Sequence, residues 1–281
     1  MSADVRTMVR EKYGEIAKSA SQGCCSGSGG CCGGSPAEQI AEYVGYTPEQ
    51  LATLPEGANL GLSCGNPLEH AAAQPGETVL DLGSGAGMDA FLAARAVGPT
   101  GRVIGVDMTP EMLEKARANA VRAGVTNVEF RLGEIEHLPV PDASVDIIIS
   151  NCVINLSPEK EQVFREVFRV LRPGGRMVVS DLVLVRPISE EIRRSVEAYV
   201  GCVAGASLRA DYLKAISAAG FRDIEVLEER SYGDVELFGD AEWMREAARS
   251  VVSAKIRAVK EPSAVRRPPS PQNPAPRSSD G

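Results

Sequence analysis

The segment that decides the fold is Val79-Leu80-Asp81-Leu82-Gly83-Ser84-Gly85-Ala86-Gly87-Met88-Asp89. Its apolar start predicts a buried strand, and the residues from Gly87 onward predict a helix that packs back on a sheet. The three glycines permit positive φ and let a ligand approach more closely than a Cβ would allow. A helix that begins near Gly87 also has unpaired N–H groups and a partial positive charge at its start. The segment therefore predicts an α/β fold with a nucleotide-sized cradle at the carboxyl end of a strand.

The spacing of the glycines separates two cofactor classes. The dinucleotide fingerprint G-x-G-x-x-G/A would place a small residue at position 88, where this chain has Met88. The pattern D-x-G-x-G-x-G, from Asp81 to Gly87, resembles instead the first motif of class I S-adenosylmethionine (SAM) methyltransferases. That resemblance implies SAM as the cofactor and a Rossmann-like, mostly parallel sheet with helices on both faces and an antiparallel closing strand. It also implies that Asp81, Gly83, Gly85 and Gly87 contact the cofactor.

A second acidic residue strengthens the cofactor prediction. The run Arg102–Asp107 predicts a strand that ends in a carboxylate about 20 residues after the last glycine. Asp107 is acceptor-only when ionised, so it can accept hydrogen bonds from both ribose hydroxyls. Thr109 and Pro110 already supply the next helix with an N-cap and an N1 proline, which weakens the interpretation of Asp107 as a mere helix cap.

Further cofactor contacts are expected where neighbouring strands end. Met108 follows the second strand directly. The next predicted strand is followed by Glu134 and Ile135, at the place where methyltransferases of this class hold the adenine. The nearly all-apolar run 145–150 predicts a central parallel strand covered on both faces. It is followed by Asn151, which we also expect at the cofactor edge.

The composition is that of an ordinary globular protein. The 281 residues include 43% hydrophobic and 24% charged side chains, which is sufficient for a sizeable core. The net charge of −8 argues against a nucleic-acid partner, because phosphate binding needs a concentrated basic face. No apolar run approaches the roughly 20 residues of a membrane span, and the N-terminus lacks the apolar core of a signal peptide. We therefore expect no membrane association and a cytoplasmic location.

We divide the chain into four parts. Residues 1–75 are expected to form helices and a cysteine-rich loop, 76–185 the cofactor-binding core, and 186–260 helices and closing strands. Residues 261–281 alternate prolines with polar residues, which predicts a disordered tail. Ser35–Glu38 and Thr47–Gln50 are capping boxes with proline at the first helical position, which predict two short helices after the N-terminal loop. The remaining patterns predict helices at 3–20, 157–171, 190–199, 209–219 and 241–260, a fifth core strand at 176–185, and closing strands at 221–227 and 232–238.

The N-terminal loop carries two pairs of adjacent cysteines, which are Cys24, Cys25, Cys31 and Cys32. Its glycines and serines cannot pack into a core, so the segment is expected to be flexible. Tetrahedral zinc sites normally use C-x₂₋₄-C spacing, which adjacent pairs do not supply. Redox exchange or soft-metal capture is favoured over zinc, and a functionless leader remains an alternative.

Three further cysteines stand apart from that loop. Cys64 lies in the turn Asn59–Pro67, Cys152 follows the central strand, and Cys202 lies in a glycine-containing turn. A single such cysteine is most simply a buried structural residue. All three, however, occupy Gly- or Asn-flanked turns rather than apolar helix or strand faces, which favours a joint role at the cofactor edge.

The sequence offers no obvious general base, which limits the kinds of methyl acceptor that we expect. An oxygen or nitrogen nucleophile usually transfers a proton to a nearby base before it attacks a sulfonium methyl group. The chain has two histidines, and His137 has no obvious partner while His70 is expected on the surface. Trivalent arsenic bound by three thiolates has a free lone pair and needs no base, and thiolates are the ligands that suit a soft atom.

These cysteine motifs closely resemble those of prokaryotic arsenite methyltransferases. The matching segments, with the glycine turn 79–89, are Asn59-Leu-Gly-Leu-Ser-Cys64-Gly-Asn-Pro67, Val103-Ile-Gly-Val-Asp107-Met-Thr-Pro-Glu-Met, Ser150-Asn-Cys152-Val-Ile-Asn-Leu156 and Tyr199-Val-Gly-Cys202-Val-Ala-Gly205. The resemblance spans about residues 5–235. It implies that Cys64, Cys152 and Cys202 bind arsenic, and that Cys152 and Cys202 retain it after the first methyl group displaces one sulfur.

The resemblance has further implications for redox chemistry. Members of the family use a fourth, N-terminal cysteine that forms a disulfide with the counterpart of Cys64, and four candidates are present in this chain. The family also implies arsenite or its glutathione adduct as the substrate, with thioredoxin or glutathione as the reductant. The proline-rich tail departs from the family pattern.

Two alternatives belong to other functional classes. A SAM-dependent C-methyltransferase of a quinone-like molecule shares the core strands, but it predicts no dependence on the cysteines. A soft-metal sensor with a degenerate cofactor fold predicts arsenite binding without SAM binding.

Overall fold

The computed structural model describes residues 2–19, 35–231 and 242–262. The strands in these ranges are β1 (Thr78–Leu82), β2 (Arg102–Asp107), β3 (Val128–Leu132), β4 (Val145–Asn151), β5 (Leu171–Leu184), β6 (Arg222–Ser231) and β7 (Val251–Val259). The helices are α1 (Ser2–Ser19), α2 (Pro36–Tyr43), α3 (Pro48–Leu51), α4 (Leu68–Ala71), α5 (Met88–Val97), α6 (Pro110–Ala123), α7 (Lys160–Val170), α8 (Glu190–Arg194), α9 (Val196–Val200), α10 (Arg209–Ala218) and α11 (Glu242–Ser250), and Ile154–Leu156 forms a 3-10 turn.

The described strands form one sheet in the order β3-β2-β1-β4-β5-β7-β6. The first five are parallel, and β7 is antiparallel to both of its neighbours. The register pairs Leu82 with Ser150 and Asn151 with Ser180, so the carboxyl ends of β1, β4 and β5 meet at one edge. This confirms the predicted Rossmann-like methyltransferase sheet, in which ligands bind outside the carboxyl ends of the strands.

Helices cover both faces of the central strands. On one face Leu80 and Ile148 are buried against α7, where Phe164 is fully enclosed. On the other face Val79 and Ile147 pack with residues of α5 and α6. Each such side chain contributes about 1.5–3 kcal/mol by leaving water. Burial on both faces explains why β4 is nearly all apolar in sequence.

Two short helices that precede the core begin as their sequences predict. The Ser35 and Thr47 side chains accept hydrogen bonds from the backbone N–H groups of Glu38 and Gln50. The side chains of Glu38 and Gln50 in turn accept from the backbone N–H groups of Ser35 and Thr47. These reciprocal pairs are capping boxes, and each is followed by proline at the first helical position. α1 and α10 also lie where the sequence predicts helices.

The prediction of a last helix reaching residue 260 was wrong. α11 ends at Ser250, and the chain continues as β7, which is inserted between β5 and β6. Pairing along two edges outweighs the helix propensity of Ala254, Lys255 and Ala258. The strand that pairs with β6 is therefore β7, and the strand predicted at 232–238 lies outside the described residues.

Other boundaries differ by smaller amounts. The single helix predicted at 190–199 is two helices, because Ser195 is extended and its hydroxyl accepts from Ala198 N–H to start α9. α7 begins at Lys160 with Glu159 as its N-cap residue, and the Ser157 hydroxyl accepts from Glu159 N–H and donates to Glu136. β5 begins at Leu171, so the Pro173–Gly175 segment lies within the strand at a register shift opposite β4.

Candidate active site

A cleft opens at the carboxyl ends of β1, β2 and β4. Its wall includes Gly83, Gly85 and Asp107 from the predicted cofactor motifs. The same cleft is lined by Cys152, and it is covered by Val9 and Tyr13 of α1. One of the predicted arsenic ligands therefore faces the same space as the predicted cofactor residues.

The glycine turn makes close approach to this cleft possible. Gly83, Gly85 and Gly87 all have positive φ, at 64°, 51° and 97°. An added Cβ at Gly83 would lie 2.4 Å from Val153 Cγ2, so no larger residue fits there without displacing the cleft wall. The turn thus meets both requirements that favour glycine, which are a left-handed backbone and contact with a second chain segment.

Asp107 is half-buried at the end of β2. Its Oδ2 accepts from Gly85 N–H at 2.9 Å, and its Oδ1 accepts from Thr109 N–H at 2.8 Å. Thr109 is the N-cap residue of α6 and Pro110 is its first residue, as predicted, but the Thr109 hydroxyl makes no capping hydrogen bond. Each carboxylate oxygen retains acceptor capacity for a ribose hydroxyl, because it has a second lone pair.

A smaller apolar recess adjoins this cleft. It is lined by Met108, Ile135 and Val153, with Arg6 at its mouth. These apolar side chains suit a planar base, and this is where the sequence predicts adenine. Glu134 does not line the recess, and its carboxylate lies 3.9 Å from Arg6 Nε.

Two buried carboxylates lie on the opposite side of the cleft. Asp81 is 2% exposed and Asp89 is 7% exposed. Burial and the neighbouring carboxylates of Asp89 and Asp107 raise the pKa of Asp81 well above its usual value. Asp81 Oδ2 and Ser84 Oγ have no hydrogen-bond partner among the described residues. A cationic donor such as an ammonium group fits this unsatisfied, acidic end, so the chain's residues fit SAM at both ends.

Asn151 connects this acidic end to the first cysteine loop. Its amide nitrogen has two N–H groups and lies within hydrogen-bond distance of three acceptors, which are Asp89 Oδ2 at 3.0 Å, Tyr46 Oη at 2.8 Å and Gly65 O at 2.7 Å. Its Oδ1 accepts from the N–H of Cys64 at 3.1 Å. Tyr46 in turn donates to Asp89 Oδ1 at 2.6 Å. Sequence reasoning named Asn151 but missed Tyr46 and Asp89, because nothing in their local patterns indicates that they meet.

The structure brings the three separated cysteines together. Cys64 and Cys152 form a disulfide, with Cα atoms 5.9 Å apart. The Cys202 thiol donates to the carbonyl of Cys152 at 2.8 Å. All three are buried in one cluster with Val9 and Leu156. The Cys64–Cys152 pairing was not predicted, and the cysteines at 24, 25, 31 and 32 lie outside the described residues, so an N-terminal partner for Cys64 stays a prediction.

Two of these cysteines have a left-handed backbone. Cys152 has φ of 54° and Cys202 has φ of 64°. Non-glycine residues rarely adopt this conformation, and when they do the strain tends to occur at functional sites. The loop of the third cysteine is tightly seated, because an added Cβ at Gly65 would lie 2.0 Å from Ser180 Oγ. The three loops are thus fixed against the strand ends.

The surroundings of Cys202 favour its protonated thiol form over the thiolate. Burial and the nearby Asp181 carboxylate raise its pKa, whereas the Lys160 ammonium and a hydrogen bond with Tyr13 act in the opposite direction. Asp181 follows Ser180 in β5, and its carboxylate oxygen lies within 4.8 Å of the sulfurs of Cys64 and Cys152. Sequence reasoning missed Asp181, because one acidic residue at a strand end carries no distinct signal.

Helix α1 covers the cleft and is held in place by polar contacts at two points. Arg6 Nη2 donates to Glu136 Oε1 at 3.1 Å and to Glu159 Oε2 at 2.8 Å. Tyr13 Oη donates to the carbonyl of Val200 at 3.2 Å. The helix therefore spans from the recess at Glu136 to the loop before Cys202. No helix within the described ranges combines the length and apolarity that a membrane crossing requires.

Comparison with known proteins places this geometry in a family. A family profile described as "Methyltransferase domain" matches residues 73–238. An arsenite methyltransferase from Halobacterium salinarum is 49% identical over 264 residues, which cover 92% of this chain and 67% of that protein. An arsenite methyltransferase from Aquipseudomonas alcaligenes is 37% identical, with 79% of this chain and 63% of that protein covered. The chain thus spans about two thirds of the length of these relatives.

A solved structure agrees with these relatives. The crystal structure of an arsenic(III) SAM methyltransferase from Chlamydomonas reinhardtii matches with a TM-score of 0.64 and 32% identity, over 83% of this chain and 76% of that one. Its cofactor class is the one that fits the cleft of this chain. With its fold, its cofactor cleft and its close relatives in agreement, the chain belongs to the arsenite methyltransferase family of SAM-dependent methyltransferases.

Proposed function

We propose that this chain methylates trivalent arsenic, which it binds through Cys64, Cys152 and Cys202, in the cell's detoxification of arsenite. The observation that carries the proposal is the convergence of these cysteines beside the cofactor cleft. Cys152 lines that cleft, Cys64 is bonded to it, and the Cys202 thiol contacts its carbonyl. Three sulfurs at one point suit a soft, three-coordinate atom.

Arsenic binding begins with thiols rather than with the disulfide. The bond between Cys64 and Cys152 must be reduced before either sulfur can bind arsenic, and a small thiol or thioredoxin would supply the electrons. Arsenite, or its glutathione adduct, then exchanges its ligands for the three cysteine sulfurs. Each thiol loses one proton as its arsenic–sulfur bond forms, and that proton leaves with the displaced hydroxide or thiolate.

The chain's residues position the cofactor for this substrate. When bound, SAM supplies an electrophilic methyl group on a positively charged sulfur. Asp107 would accept from the ribose, Asp81 and Asp89 would face the cationic amino end, and Met108 and Ile135 would enclose the base. The turn at Gly83, Gly85 and Gly87 leaves room for close contact, while α1 excludes water. Most of the acceleration would come from positioning and water exclusion.

The substrate's lone pair explains why the site needs no general base. Neither His70 nor His137 lines the cofactor cleft. The titratable groups beside the disulfide include the carboxylate of Asp181, within 4.8 Å of both sulfurs, and the thiol of Cys202, which donates to the carbonyl of Cys152. A nucleophile that already has a free lone pair needs neither of them to remove a proton at the methyl-transfer step.

Several finer assignments belong to the same proposal. We assign residues 1–75 and 186–260 to the arsenic site and residues 76–185 to the cofactor-binding core, which also supplies Cys152 to the arsenic site. Cys24, Cys25, Cys31 and Cys32 would exchange disulfides with Cys64 during turnover. A reducing compartment such as the cytoplasm suits this chemistry, because it regenerates the thiols.

The experiment that tests the proposal uses the reduced protein with arsenite, SAM and a thiol reductant. Products are separated by chromatography and identified by mass spectrometry. We expect methylarsenicals, whereas a quinone C-methyltransferase would leave arsenite unchanged and methylate an added quinone precursor. Calorimetry with SAM alone is the second measurement, because a sensor with a degenerate cofactor site would bind arsenite but not SAM.

A further inference from the structure

We propose that Asp181 is a charge-stabilising residue for methyl transfer, which holds a fixed negative charge beside the arsenic atom as that atom becomes positive. The inference rests on the proposed function and adds a residue to it. Asp181 belongs to none of the motifs that carry the resemblance to the family.

The position of Asp181 is set by β5. It follows Ser180, whose carbonyl accepts from Cys152 N–H at 2.8 Å and lies 3.3 Å from Cys64 Sγ. Asp181 is 1% exposed. One of its carboxylate oxygens and the sulfurs of Cys64 and Cys152 all lie within 4.8 Å of one another. An arsenic atom held by these sulfurs would therefore lie beside the carboxylate.

The surroundings of the carboxylate are preorganised for negative charge. Its Oδ1 accepts from Asn155 Nδ2 at 2.8 Å and from Leu182 N–H at 3.0 Å, and its Oδ2 accepts from Tyr212 Oη at 3.1 Å. Asn155 is itself fixed, because its amide also donates to Leu182 O at 2.6 Å. All the groups that contact Asp181 in this way donate, and donors to a carboxylate favour its ionised form.

The charged and titratable groups around Asp181 come from different elements. Burial raises the pKa of Asp181 to about 7, whereas the Tyr212 hydroxyl and the Lys160 ammonium lower it. Lys160 lies at the start of α7 and also interacts with Cys202. The Lys160 ammonium and the Tyr212 hydroxyl thus both favour the charged form of the carboxylate.

The chemistry explains why a fixed anion is useful here. Arsenic bound to three thiolates is neutral. Its lone pair forms the new arsenic–carbon bond while the sulfur–carbon bond of the sulfonium breaks, and the electron pair of that bond stays on the departing sulfur. The positive charge thus moves from sulfur to arsenic. An anion held at the arsenic end stabilises the transition state more than the ground state, which is the condition for lowering a barrier.

Asp181 could instead bind the arsenic atom directly, but the chemistry of its carboxylate disfavours this role. A carboxylate oxygen is a hard donor, and a soft atom prefers the three sulfurs that are present. The two roles also differ in what they predict for binding. A ligand contributes to arsenite affinity, whereas a charge stabiliser contributes to the rate of transfer.

The test compares Asp181→Asn, which removes the charge, with Asp181→Glu, which keeps it, in the reduced full-length protein at pH 8. Each protein is loaded with one equivalent of arsenite, mixed with excess SAM and quenched, and the first methylarsenic product is measured over time. Arsenite binding is measured separately by gel filtration and elemental analysis. For Asp181→Asn we expect a single-turnover rate lower by on the order of 10²-fold, as for loss of one preorganised group at a charged transition state. Its arsenite affinity should be unchanged.

Asp181→Glu keeps the negative charge, so it should recover most of the rate that Asp181→Asn loses. If Asp181→Asn does not fold, Asp181→Ser replaces it as the neutral variant. A rate for Asp181→Asn equal to that of wild type, weaker arsenite binding by Asp181→Asn, or an equally large slowing in Asp181→Glu would each overturn the inference. Absence of any methylarsenical from the wild-type protein would instead overturn the proposed function.

Discussion

The backbone N–H of Cys64 donates a hydrogen bond of 3.1 Å to the side-chain carbonyl of Asn151. The amide of the same asparagine donates to Asp89 on the acidic side of the cofactor cleft. One side chain therefore fixes the distance between the cleft and the loop of the first cysteine. Because Cys152 follows Asn151 directly, a shift of this asparagine would move two of the three sulfurs.

Asn151→Ser tests this connection. We expect weaker SAM binding and slower methyl transfer, because Asp89, Tyr46 and the Cys64 loop lose a shared partner. The matched control is Asn127→Ser, since the amide of Asn127 also bonds more than one acceptor, the carbonyls of Ala94 and Gly98, but lies away from the site. Both variants should lose about 1–3 kcal/mol of unfolding free energy. SAM titration by calorimetry should show weaker binding in Asn151→Ser than in Asn127→Ser. Equal SAM affinities in the two variants would contradict the role of Asn151.

Gly83→Ala tests the glycine turn against Gly124→Ala. Both positions have a left-handed backbone, with φ of 64° and 65°, so both variants lose about 1–2 kcal/mol from backbone strain. A Cβ at Gly124 meets no atom within 4 Å, whereas one at Gly83 lies 2.4 Å from Val153 Cγ2. We expect SAM affinity to fall only in Gly83→Ala. Calorimetry at equal fractions of folded protein measures it, and unchanged affinity would remove this turn from the cofactor site.

Alkylation of Cys202 by iodoacetamide should show a shifted pH dependence. Burial and Asp181 raise the pKa of this thiol, so its thiolate fraction in the folded protein is lower than in the unfolded chain at any given pH. In denaturant the rate should level off above about pH 8.5, the ordinary thiol pKa, whereas in the folded protein it should still be rising there. Peptide mapping by mass spectrometry follows the residue, and coincident inflection points would refute the expected shift.

Arg6→Gln tests how α1 is held over the site. Glu136 is 3% exposed, and without Arg6 its carboxylate would keep the Ser157 hydroxyl and lose a cationic partner. We expect the unfolding free energy to fall by about 1–3 kcal/mol in urea titrations. The control is Lys12→Gln, because the Lys12–Glu15 pair on the same helix is exposed to solvent and should contribute little to stability. Equal losses in the two variants would mean that Arg6 does not anchor the helix.

The core of this fold could be read from the sequence because each element carries its own signal there. The run that forms β4 is nearly all apolar, and the capping residues Ser35 and Thr47 indicate where two helices begin. β7 has no such signal, because its middle contains Lys255. That side chain is 4% exposed and pairs with Glu69 and Glu228, which are distant in sequence. A buried charge whose partners come from other elements is visible only in three dimensions.

The same distinction applies to the site. The cysteines and the glycine turn were predicted, because their residue types are unusual in those settings. Tyr46, Asp89 and Asp181 were not, since each acquires its role from contacts across 26 to 105 positions of the chain, as with Asn155 and Asp181 or Tyr46 and Asn151. The disulfide between Cys64 and Cys152 also depends on such distant contact, and its sequence separation is 88.

The central claim is that three cysteine sulfurs hold the arsenic atom that receives the methyl group. The most direct test measures methylation of arsenite and of methylarsenite by Cys64→Ser, Cys152→Ser and Cys202→Ser, with products speciated by chromatography and mass spectrometry. We expect that Cys152→Ser and Cys202→Ser methylate neither substrate, whereas Cys64→Ser keeps activity on methylarsenite. Full activity of Cys152→Ser or Cys202→Ser on arsenite would contradict it.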